Sequence, residues 1–315
     1  MIDGEALRVG MRAVMAVAAA DGQIDERERG LLRAAVRGFM PGATAIDVDS
    51  ISAIEPADAA RRVQDVTGRE RIIQAQLVMS LIDGDADERE LAVIRAFADA
   101  FAVQEPRLDN LSQLVNESYL LLKLDLNRHS QMTSEAVSHA YREQGLRGVW
   151  KSTTPFLSKH AANDAELAAK YHALGELPEG TFGRVYHEHM TSRGFSFPGE
   201  PSGFPEVFMK HDACHVLGGY DTDPTGECEV VAFICGFMQT DPFWYLFMIL
   251  VHMHLGIETF QDNALGELAF DADRVLAALL RGTRVAEDIY APGYDFWALF
   301  PRPLDAVRSE LSIST

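Results

Sequence analysis

An acidic octapeptide occurs twice in this chain, 62 residues apart: Asp21-Gly22-Gln23-Ile24-Asp25-Glu26-Arg27-Glu28 returns as Asp83-Gly84-Asp85-Ala86-Asp87-Glu88-Arg89-Glu90. The flanks keep the same offset. Met15 and Ala19 correspond to Leu77 and Leu81, and Leu32, Val36 and Phe39 correspond to Ile94, Ala98 and Phe101, all at helical spacing. Each copy reads as a helix, an acidic turn and a second helix.

The turn has a local explanation. The glycine supplies a left-handed or tight conformation, the following Asp caps a helix, and the Glu three residues later completes a capping box. Acidic side chains in a first helical turn also suit the helix dipole. The other reading is chemical: Asp21, Asp25 and Glu28, with Asp83, Asp85, Asp87 and Glu90, form second cation sites for a hard ion such as calcium through oxygen ligands, although the twelve-residue EF-hand ligand pattern is absent. An Asp-Gly turn repeated between helices, each with a Glu a few residues on, resembles the tellurite-resistance TerB family over roughly residues 5–125. That resemblance implies a helical accessory domain with acidic metal-binding turns and no catalysis of its own.

The second half carries a different pattern, His211-Asp212-Ala213-Cys214-His215, followed by Gly218-Gly219 and then by Asp223-Pro224-Thr225-Gly226-Glu227. On a helix, His211 and His215 lie four apart on one face and can grip one ion, as in H-E-x-x-H metal helices. The glycines end that helix, Asp-Pro-Thr-Gly makes a turn, and a second helix starting near Glu227 can return its first carboxylate to the histidines. Two imidazoles with one or two carboxylates suit zinc first, and also iron, manganese or magnesium, with an open position for chemistry. Cys214 and Cys228 adjoin ligand positions but read as core filling. His187, His189, His252 and His254 read as ordinary packed or surface residues, with one of them in reach of a ligand as an outer support.

The eleven residues between His215 and Glu227 reproduce the H-D-x-x-H-x(11)-E pattern of the Coq-four family of ubiquinone (coenzyme Q) biosynthesis proteins. Leu177-Pro178-Glu179-Gly180-Thr181-Phe182-Gly183 followed by Tyr186 is similar to that family's entry motif, and Gln239-Thr240 with Pro242 to its later Q-T-G-L-P segment, so the resemblance covers about residues 155–300. It implies metal ligands at His211, Asp212, His215 and Glu227, with His211 and Asp212 at the centre of catalysis. Counting back from Gln239-Thr240 by the family's interval reaches Glu229 instead of Glu227; Glu227 keeps the Gly-Glu dipeptide and the eleven-residue spacing. The family's basic and acidic run before the His-Asp pair is replaced here by Phe208-Met209-Lys210.

Together these readings give an all-α chain of two helical domains: a TerB-like repeat pair over 1–126, a helical connector over 127–154, and a Coq-four-like metal-binding domain over 155–315. At 315 residues there is chain enough for two cores. A formal charge of -19, with 14 basic against 22 acidic residues in 1–126 and 14 against 25 beyond, repels phosphate backbones, so nucleic acid is not an expected partner. Cys214, Cys228 and Cys235 have no paired spacing of a disulfide framework, and the first twenty residues do not read as a signal peptide, so a cytoplasmic protein is expected, in peripheral contact with the inner membrane at most. The most apolar run, Phe243 to Val251, is nine residues long against the roughly 20 needed to span a bilayer.

Around that run Phe233, Ile234, Phe237, Met238, Phe243, Trp244, Phe247, Met248, Ile249 and Val251 read either as a plain helical core or as a wall for an isoprenoid chain. The Coq-four resemblance implies the second: a metal-dependent lyase in which the ion holds the ring carboxylate of a prenylated hydroxybenzoate, the apolar helices hold the polyisoprenoid lipid tail, and the carboxylate is exchanged for a hydroxyl by oxidative decarboxylation. The alternative is a non-catalytic, metal-stabilised isoprenoid-binding scaffold for quinone-biosynthesis enzymes, as a homo-oligomer or docked through its first half. A metal-water phosphohydrolase of the HD type would need a further upstream His and downstream Asp that the sequence does not mark.

Overall fold

The computed structural model describes residues 4–40, 47–128, 164–201, 203–204, 206–259, 266–291 and 293–314, except for the side chains of Asn127, Arg128 and Val207. Among them the chain is all-helical, and its nearest approach to a sheet is an isolated bridge between Thr181 and Pro303. The expected connector over 127–154 lies outside the described residues from position 129 onward.

The first seven α-helices are α1 (Gly4–Ala18), α2 (Glu26–Phe39), α3 (Pro56–Arg62), α4 (Val66–Met79), α5 (Glu88–Phe101), α6 (Arg107–Val115) and α7 (Tyr119–Arg128). The repeat is exact at the level of elements, because α2 and α5 begin and end 62 residues apart. Both turns use the glycine at positive φ, +89° at Gly22 and +97° at Gly84, where a side chain would be strained. Asp25 makes the full capping box with Glu28, whereas Asp87 caps α5 at the Arg89 N–H and also pairs with the Arg89 guanidinium. Met15 and Leu77, Leu32 and Ile94, and Val36 and Ala98 are buried as pairs. Ala19 and Phe39 are more open than their counterparts Leu81 and Phe101, so the copies diverge at the outer ends of the repeat.

Later come α8 (Ala165–His172), α9 (Phe182–Ser192), α10 (Met209–Gly218), α11 (Pro224–Phe237), α12 (Pro242–Ile249), which runs into a π-helical turn at Leu250–His254, then α13 (Ala272–Gly282) and α14 (Leu304–Glu310). Contacts divide the chain into two compact units, the first made of 1–126, 247–257 and 265–277 and the second of 127–246, 258–264 and 278–315. The first unit thus takes in two segments from beyond residue 154. Within it, the His254 Nε2–H donates to the Ile82 carbonyl at 3.0 Å and the Phe270 N–H donates to His254 Nδ1 at 3.1 Å, while Arg37 pairs with Asp273. His254 therefore has both ring nitrogens occupied by backbone, and burial lowers its pKa.

In the second unit, Tyr171, Tyr186, Phe197, Trp297 and Phe300 form an aromatic cluster. The backbone of Gly180 to Gly183 is tied to residues 300–304 through Phe182 N–H to Arg302 O and Gly183 N–H to Phe300 O, both at 2.8 Å, and Leu304 N–H to Gly180 O at 2.9 Å. The entry-motif residues Phe182 and Tyr186 thereby become core. Helices α11 and α13 touch through glycine: a Cβ on Gly282 would fall 2.0 Å from the Phe233 carbonyl oxygen and one on Gly236 2.5 Å from Gly282. Among the described residues no helix is long and apolar enough to cross a membrane.

Candidate metal centre

Helix α10 places His211 and His215 one above the other, as a 3.6-residue turn requires. Its C-terminus is fixed from several directions. Gly219 takes the left-handed cap at φ +72°, and the His215 carbonyl accepts from the Gly219 N–H at 2.7 Å and the Tyr220 N–H at 3.0 Å. The otherwise unpaired carbonyls meet two guanidinium groups: Arg308 donates to Val216 O at 2.8 Å and Leu217 O at 3.1 Å, and Arg281 donates to Gly218 O at 2.6 Å. Positive charge at this end also suits the helix dipole. Helix α11 then starts on Asp223, whose carboxylate accepts from the Gly226 N–H at 2.7 Å, with Pro224 at the first helical position, so Glu227 leaves from the first turn toward the histidines.

His211 Nε2 lies 3.0 Å from Glu227 Oε2, His215 Nε2 lies 3.3 Å from Glu227 Oε1, and the two Nε2 atoms are 3.2 Å apart. Among the described residues, these three side chains form the group of His, Cys, Asp or Glu donors that all lie within 4.8 Å of one another. The remaining ring nitrogens are held by other groups. His215 Nδ1 is 3.3 Å from the Tyr220 carbonyl, and His211 Nδ1 is 2.7 Å from the Tyr245 hydroxyl. A carbonyl only accepts, so His215 carries a proton on Nδ1, which leaves Nε2 to face Glu227. Metal-ligating histidines are typically oriented by such a bond on the far nitrogen.

The electrostatics are those of a histidine–carboxylate ion pair. Burial opposes the charged form of His211, but the charge and hydrogen bond of Glu227 outweigh it and the net pKa shift is upward. Burial likewise opposes the Glu227 carboxylate, and the two histidines hold it well below the usual carboxylate range. Both partners favour a charged carboxylate facing nitrogen donors.

Of the residues read as ligands from the sequence, His211, His215 and Glu227 are brought together and Asp212 is not in that set. Asp212 follows His211 by one residue, about 100° round the helix, so its carboxylate leaves the shared face. Burial raises its pKa to about 6, Glu227 adds to the rise and the histidines oppose it. Asp212 acts electrostatically on Tyr186, whose fully buried hydroxyl has no hydrogen-bond partner among the described residues. Glu229 is two residues on from Glu227, roughly 200° round α11, and is buried away from the trio. Cys214 and Cys228 are buried free thiols; burial pushes Cys228 up to about 12 and Cys214 higher, which suits packing and not ligation.

At the acidic turns the carboxylates are engaged locally. Asp21 accepts from the Gln23 N–H at 2.8 Å, Asp83 from the Asp85 N–H at 3.0 Å, and Asp25 and Glu28 cap each other's backbone. No three donors of Asp21, Asp25, Glu28, Asp83, Asp85, Asp87 and Glu90 fall within the distance that joins the His211 group. The apolar residues singled out between Phe233 and Val251 are buried in the protein's own interior except Met238, which is half-buried, and the run is broken by exposed Gln239, Thr240 and Asp241.

Sequence reasoning did not single out Tyr245, Tyr220, Arg281 or Arg308. It grouped His189 with three other histidines, one of them expected to support a ligand, without choosing among them; the His189 ring stacks on His215 with centroids 5.8 Å apart, and burial lowers its pKa to about 4. Its position at seven residues from Phe182, on the helix that the entry motif begins, was the available signal.

No family model and no curated protein matches the chain. A crystal structure of a proposed ubiquinone biosynthesis protein from Nostoc punctiforme is similar at 20% sequence identity and a TM-score of 0.34, over 65% of this chain and 91% of that one.

Proposed function

We propose that His211, His215 and Glu227 bind a divalent metal ion, zinc first among the candidates, and that the protein serves ubiquinone or related prenyl-quinone biosynthesis. The observation that carries the metal is that the two Nε2 atoms lie 3.2 Å apart and each faces one oxygen of the Glu227 carboxylate, His211 at 3.0 Å from Oε2 and His215 at 3.3 Å from Oε1. Bonds of about 2.0–2.1 Å give donor separations of about 3.3 Å on a tetrahedral face and about 3.0 Å on an octahedral edge, so the side chains already stand where a first-row ion needs them. Three protein ligands leave at least one position open, as in catalytic rather than structural sites.

The substrate class rests on the H-D-x-x-H-x(11)-E resemblance. In this reading the ion would hold the ring carboxylate of a prenylated hydroxybenzoate; the carboxylate would leave as carbon dioxide, one oxygen atom of dioxygen would enter as the hydroxyl, and the other would leave as water with two electrons from an added donor such as a reduced nicotinamide. Asp212, beside the trio and with a pKa raised to about 6, is suited to hold or release a proton near neutrality. The test is metal analysis of the purified protein and of His215→Ala, followed by turnover of a prenylated hydroxybenzoate under air with that donor. The expected result is about one equivalent of metal, lost in the variant, and product formation that follows metal content. Retention of full metal by His215→Ala sinks the site; bound metal and co-purified isoprenoid without turnover favour the scaffold instead.

A further inference from the structure

The two histidines of the trio are supported unequally. His215 Nδ1 faces a backbone carbonyl, which accepts only, so its tautomer is fixed whether or not an ion is present. His211 Nδ1 faces a hydroxyl at 2.7 Å, which can donate or accept. This difference matters because His211 Nε2, 3.0 Å from Glu227 Oε2 and 3.2 Å from His215 Nε2, requires a proton in that space when no cation fills it.

We propose that Tyr245 is a positioning residue of the centre, whose hydroxyl donates to His211 Nδ1 when Nε2 carries the proton and accepts from Nδ1–H when Nε2 binds metal. The inference rests on the metal reading above. A neutral His211 only exchanges tautomer, its proton leaving Nε2 and one being taken up at Nδ1, so no net proton is needed; a protonated His211 releases one from Nε2. For neutral His211 the bond to Tyr245 persists and only its direction changes; for protonated His211 Nδ1–H already donates to Tyr245 and continues to do so, and in neither case need the ring move. The Tyr245 phenol is 3% exposed, which shields this bond from competition by water. When it accepts, its own O–H needs a partner, and the buried Tyr290 hydroxyl has none among the described residues. Tyr245 is the first neighbour, after burial itself, that acts on Tyr290.

Zinc affinity is to be measured for the full chain and for Tyr245→Phe by competition with a chromophoric chelator, with helicity and melting temperature recorded for both. Nitrogen-detected spectra of the zinc-loaded proteins identify the protonated nitrogen of His211. Removing only the hydroxyl is expected to weaken zinc about 10–100-fold at unchanged helicity, and to lose the slowly exchanging Nδ1–H of His211 that the parent protein shows. Equal affinity in Tyr245→Phe, with that proton still protected, overturns the role of Tyr245 and leaves the metal site intact. If the variant does not fold, the zinc-loaded parent decides: His211 bound through Nδ1, with its proton on Nε2, overturns the proposal. A parent chain that takes up no zinc, manganese or iron sinks the metal reading itself.

Discussion

Glu90 is, among the described carboxylates, the one whose surroundings most oppose its charge. It is 7% exposed, and its pKa rises from 4.5 to about 9 through burial first and then through Asp83, Glu28, Asp87 and Asp21. Glu28, its counterpart 62 residues earlier, rises to about 7 chiefly by burial, partly offset by its capping bond to Asp25. Both folded-state values lie above the unfolded one, so the stability they contribute is complete below about pH 4.5 and is lost as pH rises, by about 7 for Glu28 and about 9 for Glu90. Glu90→Gln removes a buried charge at alkaline pH and should stabilise the protein there by about 1–3 kcal/mol, with little effect near pH 5. Urea unfolding at pH 5 and pH 8.5 in the presence of chelator reads this. A variant less stable than the parent at pH 8.5 would sink the account, and the same loss appearing only with added calcium would place a cation on the turns.

At the scale of elements, the centre depends on helix ends. His211 lies in the first turn of α10, His215 in its last turn and Glu227 in the first turn of α11, so their separation is set by the Gly219 cap, the Asp223 cap and the arginines on the α10 carbonyls. Helix α11 is held in turn by its glycine contact with α13. Gly282→Ala forces a methyl group against the Phe233 carbonyl, where backbone and not a flexible side chain must yield. It should cost about 1–3 kcal/mol and, by shifting α11, weaken metal binding although residue 282 is no ligand. Calorimetric melting and metal titration of the variant check both effects; unchanged values for each would mean that the helices part without cost. The His pair and Glu227 were legible in the sequence because i, i+4 geometry and a Gly-Gly stop are local rules. Tyr245 was not, because its approach to His211 spans 34 residues and depends on how α12 lies against α10, which no periodicity encodes.

The same distinction governs the whole molecule. The repeat made a helical first half legible down to the caps that start α2 and α5, since apolar spacing and turn residues are written twice. What the repeat could not indicate is the material that covers it. Periodicity says that a face is buried, not against what, and residues 247–257 and 265–277 complete the first unit from far along the chain. Leu81 and Ile82 are 0% and 1% exposed, His254 donates to the Ile82 carbonyl, and Leu268 packs at Gly84. A fragment ending at residue 126 therefore uncovers apolar side chains worth about 1.5–3 kcal/mol each and leaves the end of α4 without its partner. Backbone amide exchange in α4, compared between the fragment 1–126 and the full chain, should be faster in the fragment by at least about tenfold, with dye binding to the exposed surface. Equal protection in both would mean that the repeat is self-sufficient and that the later segments merely rest on it; faster exchange makes the first half a domain only in company with the segments that follow α11.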